Sequence, residues 1–113
     1  PSVAGRRAAS VFLARLKERT SDRDKAVSMT ALRRQLKAIK AWGRQVRQRL
    51  DAIRSPVLVA NGDHDIMVPS ENSAELARRI PGAELVLYPD AGHGGIFQYH
   101  DAFLTKAKAF LGT

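Results

Sequence analysis

Hydrophobic residues in the first half of the chain recur every three or four positions, which is the spacing of an α-helix. The pattern predicts one helix over residues 3–20 and a second over 30–42. Ser28 or Thr30 is predicted to cap the second helix, because a side-chain hydroxyl can accept hydrogen bonds from its unpaired first amides. The apolar face of that helix consists of Leu32, Leu36, Ile39 and Trp42. A third, short helix is predicted from apolar residues at helical spacing, namely Val46, Leu50 and Ile53.

The second half of the chain changes to the short apolar runs that are typical of β-strands. Strands are predicted at residues 57–60, VLVA, and 84–88, ELVLY. A helix that begins with a hydroxyl cap at Ser70 is predicted between them, and another over about 98–111. This order is typical of a βαβ unit with a parallel sheet. Because two parallel strands leave edges and faces uncovered, we expect a missing N-terminal segment or a second copy of the chain to complete the sheet.

Two side chains with potential acid–base chemistry follow the two predicted strands. Asp65 lies in the turn NGDHD after the first strand, and His93 in the loop PDAGHGG after the second. Loops after neighbouring parallel strands leave the same edge of a sheet, so we expect these residues to lie close together. A carboxylate beside an imidazole can hold one ring nitrogen as N–H and leave the other free to accept a proton. Asp63 is interpreted as a turn residue, and His64 and His100 as exposed.

The segment PVLVANGDHDIMVPSENSAELARRIPGAELVLYPDAGHG resembles the C-terminal part of the α/β-hydrolase superfamily, most of all its esterase, lactonase and perhydrolase-like members. The resemblance implies that Asp65 is the triad acid and His93 the triad base of a serine hydrolase that acts on ester or related acyl bonds without a cofactor. It also implies that residues 1–54 derive from a helical cap and 55–113 from the βαβα end of the core. None of the seven serines lies in the Gly-x-Ser-x-Gly setting of the family nucleophile. We therefore predict an α/β-hydrolase fragment with two of three triad members, inactive alone.

Charge is distributed unevenly along the chain and leaves other functions open. Residues 1–54 hold 15 Lys and Arg against 4 Asp and Glu, whereas residues 55–113 hold 4 against 7. The basic helices allow a nucleic-acid-binding module, although no helix-turn-helix spacing or RNA-binding aromatic motif accompanies them. A non-catalytic remnant that self-associates is the third alternative.

Composition limits the cofactors, the cellular location and the partners that we expect for the chain. The absence of cysteine excludes disulfides and thiolate metal sites and is compatible with a cytoplasmic location. No apolar run approaches the length of a membrane span, and no residue spacing indicates a metal site. We expect a small ester-like substrate for the parent protein, and neither a membrane nor a nucleic-acid partner.

Overall fold

The computed structural model describes residues 2–46 and 48–112. In chain order the elements are α1 (Val3–Arg15), α2 (Met29–Gly43), a 3-10 turn (Leu50–Ala52), β1 (Leu58–Gly62), α3 (Ser70–Arg79), β2 (Glu84–Tyr88), α4 (Gly95–Gln98) and α5 (His100–Leu111). The chain divides into two compact units. One joins the N-terminal segment up to Glu18 with the chain from Leu50 onward, and the other runs from Arg19 to Arg49.

The two strands form a parallel sheet, and α3 is the crossover helix between them. Pairing runs in order from Leu58 with Glu84 to Gly62 with Tyr88. α3 packs on both strands, and α4 and α5 contact β1. The buried hydrophobic residues of the described chain are Val59, Ile80, Tyr88 and Ala91. The predicted βαβ unit, with two parallel strands and flanking helices, is confirmed.

The strand boundaries follow the apolar pattern with one extension. β2 occupies the predicted residues 84–88. β1 begins at Leu58 and continues to Gly62, past the predicted end at residue 60. The extension arises because Asn61 and Gly62 still pair with the last two residues of β2. A polar or glycine residue can thus belong to a strand when its backbone has a partner, which the side-chain pattern does not reveal.

In the first half of the chain, one predicted helix cap is confirmed and one predicted helix is wrong. Ser28 caps α2, since its hydroxyl accepts a 3.1 Å hydrogen bond from the Ala31 N–H. The short helix predicted from Val46, Leu50 and Ile53 is wrong: among the described residues of that stretch, only a 3-10 turn over Leu50–Ala52 forms. Short helices are costly to nucleate, and the proline that follows disfavours helix at its preceding residue.

The helices of the second half also differ from the pattern. The helix predicted over about 98–111 corresponds to α5, which begins two residues later at His100, and the short α4 just before it was not predicted. The predicted cap at Ser70 is wrong, because Ser70 is the first residue of α3 and Pro69 is the N-cap, without a side-chain cap hydrogen bond. The hydroxyl of Ser70 is used instead in the turn after β1.

The unit from Arg19 to Arg49 contains α2, and its apolar face is exposed within that unit. Trp42, for example, is 66% exposed. Assignment of residues 1–54 to a cap and 55–113 to the core stays a prediction. Across residues 2–46 and 48–112, no helix has both the length and the apolar character that crossing a bilayer requires.

Candidate active site

Asp65 lies in the turn that follows β1, and hydrogen bonds fix its carboxylate. Oδ1 accepts from the N–H of Met67 at 2.9 Å and from that of Val68 at 3.0 Å. The Asp65 N–H donates to the Ser70 hydroxyl at 3.1 Å, and this hydroxyl donates to the Gly62 carbonyl at 2.6 Å. The side chain of Asp65 is only 1% exposed. A carboxylate buried and held in this way presents its other oxygen, Oδ2, in a fixed direction.

The loop after β2 carries His93 and is joined to the turn after β1 by backbone hydrogen bonds. The Asp63 N–H donates to the Tyr88 carbonyl at 3.0 Å, and the His64 N–H donates to the Ala91 carbonyl at 2.9 Å. These bonds continue the pairing of the two strands beyond their ends. The two loops therefore leave the sheet edge as one connected structure rather than as two independent segments.

The structure brings Asp65 and His93 into direct contact. Nδ1 of His93 lies 2.9 Å from Oδ2 of Asp65. The His93 side chain is 54% exposed, in contrast to the buried carboxylate. The imidazole is thus held at one nitrogen by a buried acid while much of the ring stays open to a reacting group.

The pKa of Asp65 indicates which of the two residues donates the hydrogen bond between them. Burial raises the pKa of the Asp65 carboxyl, and the hydrogen bonds from the Val68 N–H, His93 and the Met67 N–H lower it by more, so that it lies below its ordinary value. Asp65 is therefore ionised at neutral pH and can only accept hydrogen bonds. Because this carboxylate only accepts, Nδ1 of His93 is the donor in their hydrogen bond, which leaves Nε2 as the nitrogen that can accept a proton.

A second acid–imidazole pair lies beside the first but on the surface. His64 Nδ1 is 2.5 Å from Asp63 Oδ1, and the His64 side chain is 75% exposed. The hydrogen bond from His64 is the main cause that lowers the pKa of Asp63. His64 is exposed as predicted, whereas His100, at the start of α5, is only partly exposed. The Asp63 side chain is 33% exposed, against 1% for that of Asp65, so the Asp63–His64 pair is less shielded from solvent than the Asp65–His93 pair.

Most of the chain matches one protein family. Residues 7–98 match the sequence profile described as alpha/beta hydrolase fold. The chain belongs to this family. A solved structure, the alpha/beta hydrolase fold protein from Chitinophaga pinensis, is similar over 98% of this chain and 41% of its own, with a TM-score of 0.90 and 40% sequence identity. The family resemblance predicted from the sequence is confirmed.

Two curated hydrolase relatives match part of this chain. The putative carbamate hydrolase RutD from Caulobacter sp. (strain K31) is 40% identical over 62 residues, which is 55% of this chain and 23% of that protein. The 2-hydroxy-6-oxo-6-phenylhexa-2,4-dienoate hydrolase from Burkholderia cepacia is 33% identical over 73 residues, or 65% of this chain and 25% of that protein. The chain spans about a quarter of the length of these relatives.

Sequence reasoning missed the role of Ser70 in the turn that holds Asp65. Its hydroxyl connects the last residue of β1, Gly62, to the backbone of Asp65. The signal in the sequence was a hydroxyl directly after Pro69, but that position is equally typical of a helix cap. The choice between the two roles depends on where the end of β1 lies in space.

No serine hydroxyl contacts the His93 imidazole in the part of the chain that the structure describes. Among residues 2–46 and 48–112, no serine is hydrogen-bonded to His93, whose hydrogen-bond partner is Asp65. Ser70 and Ser73 are the serines nearest in sequence to the acid. They are engaged with Gly62 and Asn61, respectively.

Proposed function

We propose that this chain supplies the acid and the base of a hydrolase catalytic triad. The observation that carries the proposal is the 2.9 Å hydrogen bond between His93 Nδ1 and Oδ2 of Asp65. The acid is buried and its Oδ1 already accepts two backbone N–H groups, so Oδ2 remains for the imidazole. This arrangement fixes both the tautomer and the orientation of a ring that is still accessible, which general base catalysis requires.

In the proposed reaction, Nε2 of His93 accepts the proton of a serine hydroxyl while the serine oxygen attacks an acyl carbon. The ionised carboxylate of Asp65 stabilises the imidazolium that forms. The imidazolium then donates its proton to the leaving group, and water releases the acyl group by the same two proton transfers. An ester would yield an acid and an alcohol, and no cofactor takes part.

We further propose that the serine and the rest of the sheet come from sequence outside these 113 residues. No serine of the chain lies in a Gly-x-Ser-x-Gly turn. The similar solved structure is matched over only 41% of its length. Hydrolysis as the class of reaction is supported by family membership and by the word hydrolase in the names of the two relatives described above, and an ester or related acyl substrate is our proposal.

The proposal is tested by placing the chain in the similar alpha/beta hydrolase fold protein. The matching segment of the Chitinophaga pinensis protein is replaced by the 113-residue chain, and hydrolysis of p-nitrophenyl acetate is measured for the host, the exchanged protein and the isolated chain. We expect turnover by the exchanged protein and essentially none by the isolated chain.

Variants in the exchanged protein then separate the two acid–imidazole pairs. His93→Ala should lower kcat by roughly 10⁶-fold and Asp65→Asn by roughly 10⁴-fold, the losses typical of a triad base and a triad acid. His64→Ala is the matched control and should leave turnover nearly unchanged. Turnover that survives His93→Ala, or an inactive exchanged protein in an active host, would contradict the proposal.

A further inference from the structure

Asp90 lies three residues before His93 and connects the His93 loop to the start of α1. Its backbone adopts the left-handed conformation, with φ of 55°. The two oxygens of its carboxylate accept the Ser2 N–H at 2.9 and 2.8 Å, and one of them also accepts the Ser2 hydroxyl. The Ser2 hydroxyl in turn accepts a 3.1 Å hydrogen bond from the Gly5 N–H. A residue of the His93 loop thus holds the residue that caps α1.

The same helix contacts the other side of the loop. The Gln98 side chain donates to the Gly5 carbonyl at 3.2 Å and to the Asp90 carbonyl at 3.5 Å. The Phe12 ring of α1 stacks on the Phe97 ring, with centroids 5.7 Å apart and planes inclined by 12°. Polar contacts at the first turn of α1 and a ring contact further along it therefore hold both ends of the segment 90–98.

Between these ends the segment is tied to the turn after β1 by the hydrogen bond from the His64 N–H to the Ala91 carbonyl, and the residues next to His93 add flexibility. Three glycines surround the histidine at positions 92, 94 and 95, and glycine gives the backbone more freedom than any other residue. The His93 side chain is half-exposed, so packing does not restrain it. A non-glycine residue in the left-handed conformation persists only where its surroundings enforce that conformation. At Asp90 the hydrogen bonds from the Ser2 N–H and hydroxyl and the bond from Gln98 contribute to that enforcement.

We propose that Asp90 is a positioning residue which, through Ser2 and the first turn of α1, holds the His93 loop so that Nδ1 stays on Asp65. We call the group Ser2, Gly5, Asp90 and Gln98 the α1 anchor. The inference rests on the proposed function for its purpose, since it concerns the orientation of the proposed base. The alternative is that the backbone bonds next to the strands orient His93 unaided and that the α1 anchor only adds stability.

The test reads the tautomer of His93 directly in the 113-residue chain. Histidine side-chain nitrogens are observed by ¹⁵N NMR at about pH 9, where unperturbed imidazoles are neutral. In the wild type we expect His93 to carry its proton on Nδ1. Asp90→Asn keeps a side chain that tolerates the left-handed conformation. It weakens the hydrogen bonds that the Ser2 N–H and hydroxyl donate to the side chain of residue 90. It should shift the tautomer equilibrium about fivefold toward Nε2–H, the size of one net hydrogen bond.

Two further variants and one control separate positioning from stability. Asp90→Gly retains the left-handed backbone without the carboxylate, and Ser2→Ala removes only the hydroxyl; both should shift the tautomer in the same direction. Asp22→Asn is the matched control, because Asp22 has the same backbone conformation, with φ of 49°, and is hydrogen-bonded to Arg19. It should leave the His93 signal unchanged.

The outcomes distinguish this inference from the proposed function. A wild-type His93 that does not carry its proton on Nδ1 contradicts the Asp65–His93 pair and the proposed function with it. A wild type with Nδ1–H whose tautomer stays the same in Asp90→Gly and Ser2→Ala contradicts the α1 anchor alone. If Asp90→Asn unfolds the chain by far-UV circular dichroism, the Ser2→Ala variant decides.

Discussion

Gly62 is the position where one added methyl group should separate the two loops of the site. A Cβ at Gly62 would lie 2.1 Å from the Ala91 carbonyl oxygen and 2.4 Å from that of Gly92. Ordinary contacts begin at 3.4 Å, so the nearer overlap is 1.3 Å. Both obstacles are backbone atoms and cannot turn aside as a flexible side chain could. Gly62→Ala must therefore move the backbone before His93 away from β1.

The magnitude follows from the overlap and from the contact that it breaks. Overpacking a well-packed site costs about 1–3 kcal/mol. The displacement would also remove the 2.9 Å bond from the His64 N–H to the Ala91 carbonyl, worth about 1 kcal/mol. We expect the free energy of unfolding to fall by roughly 3 kcal/mol, which for a domain of this size lowers the Tm by about 10 °C.

Urea unfolding followed by circular dichroism measures this loss, and Gly43→Ala provides the matched control. Gly43 lies at the end of α2, where a Cβ would meet nothing within 4 Å, so alanine should be neutral or stabilise by up to about 1 kcal/mol. The reasoning is refuted if Gly62→Ala unfolds within about 0.5 kcal/mol of the wild type, the range of unremarkable surface changes.

Three further predictions concern the residues around the site. Gly5→Ala should lower the urea midpoint, although alanine favours a helix by up to about 1 kcal/mol, because its Cβ would lie 1.9 Å from Asp90 Oδ2; an unchanged or higher midpoint would contradict the contact. Ser70→Ala should cost about 1–3 kcal/mol in the same assay, since it leaves the buried Asp65 N–H without its acceptor. The pKa values of Asp63, Asp65 and Asp90 are all lowered in the folded chain, so the stability that they contribute is present above about pH 4 and is lost as the pH falls through the lower folded values. The urea midpoint should therefore decrease as the pH is lowered from 5 to 2. A urea midpoint that does not change over this pH range, in the wild type and in Asp65→Asn alike, would show that the hydrogen bonds to these three carboxylates do not form.

The local sequence determined the parts of this protein that depend on short-range pattern. β2 could be located from the apolar run Glu84–Tyr88, and the meeting of Asp65 with His93 followed from the rule that parallel strands end at the same edge of a sheet. Both inferences need only side-chain periodicity and chain direction. The failure at Val46, Leu50 and Ile53 marks the limit of that method, because a few apolar residues at helical spacing do not offset the cost of nucleating a helix.

Only the tertiary structure decided how the two loops are held. The Ser70 hydroxyl could have capped α3, and its use between Gly62 and Asp65 depends on the position of the strand end. The bond between Ser2 and Asp90 joins residues 88 positions apart, and no local period connects them. Contacts of this kind depend on distances between distant segments once the sheet has formed, and a linear pattern of polar and apolar residues does not encode those distances.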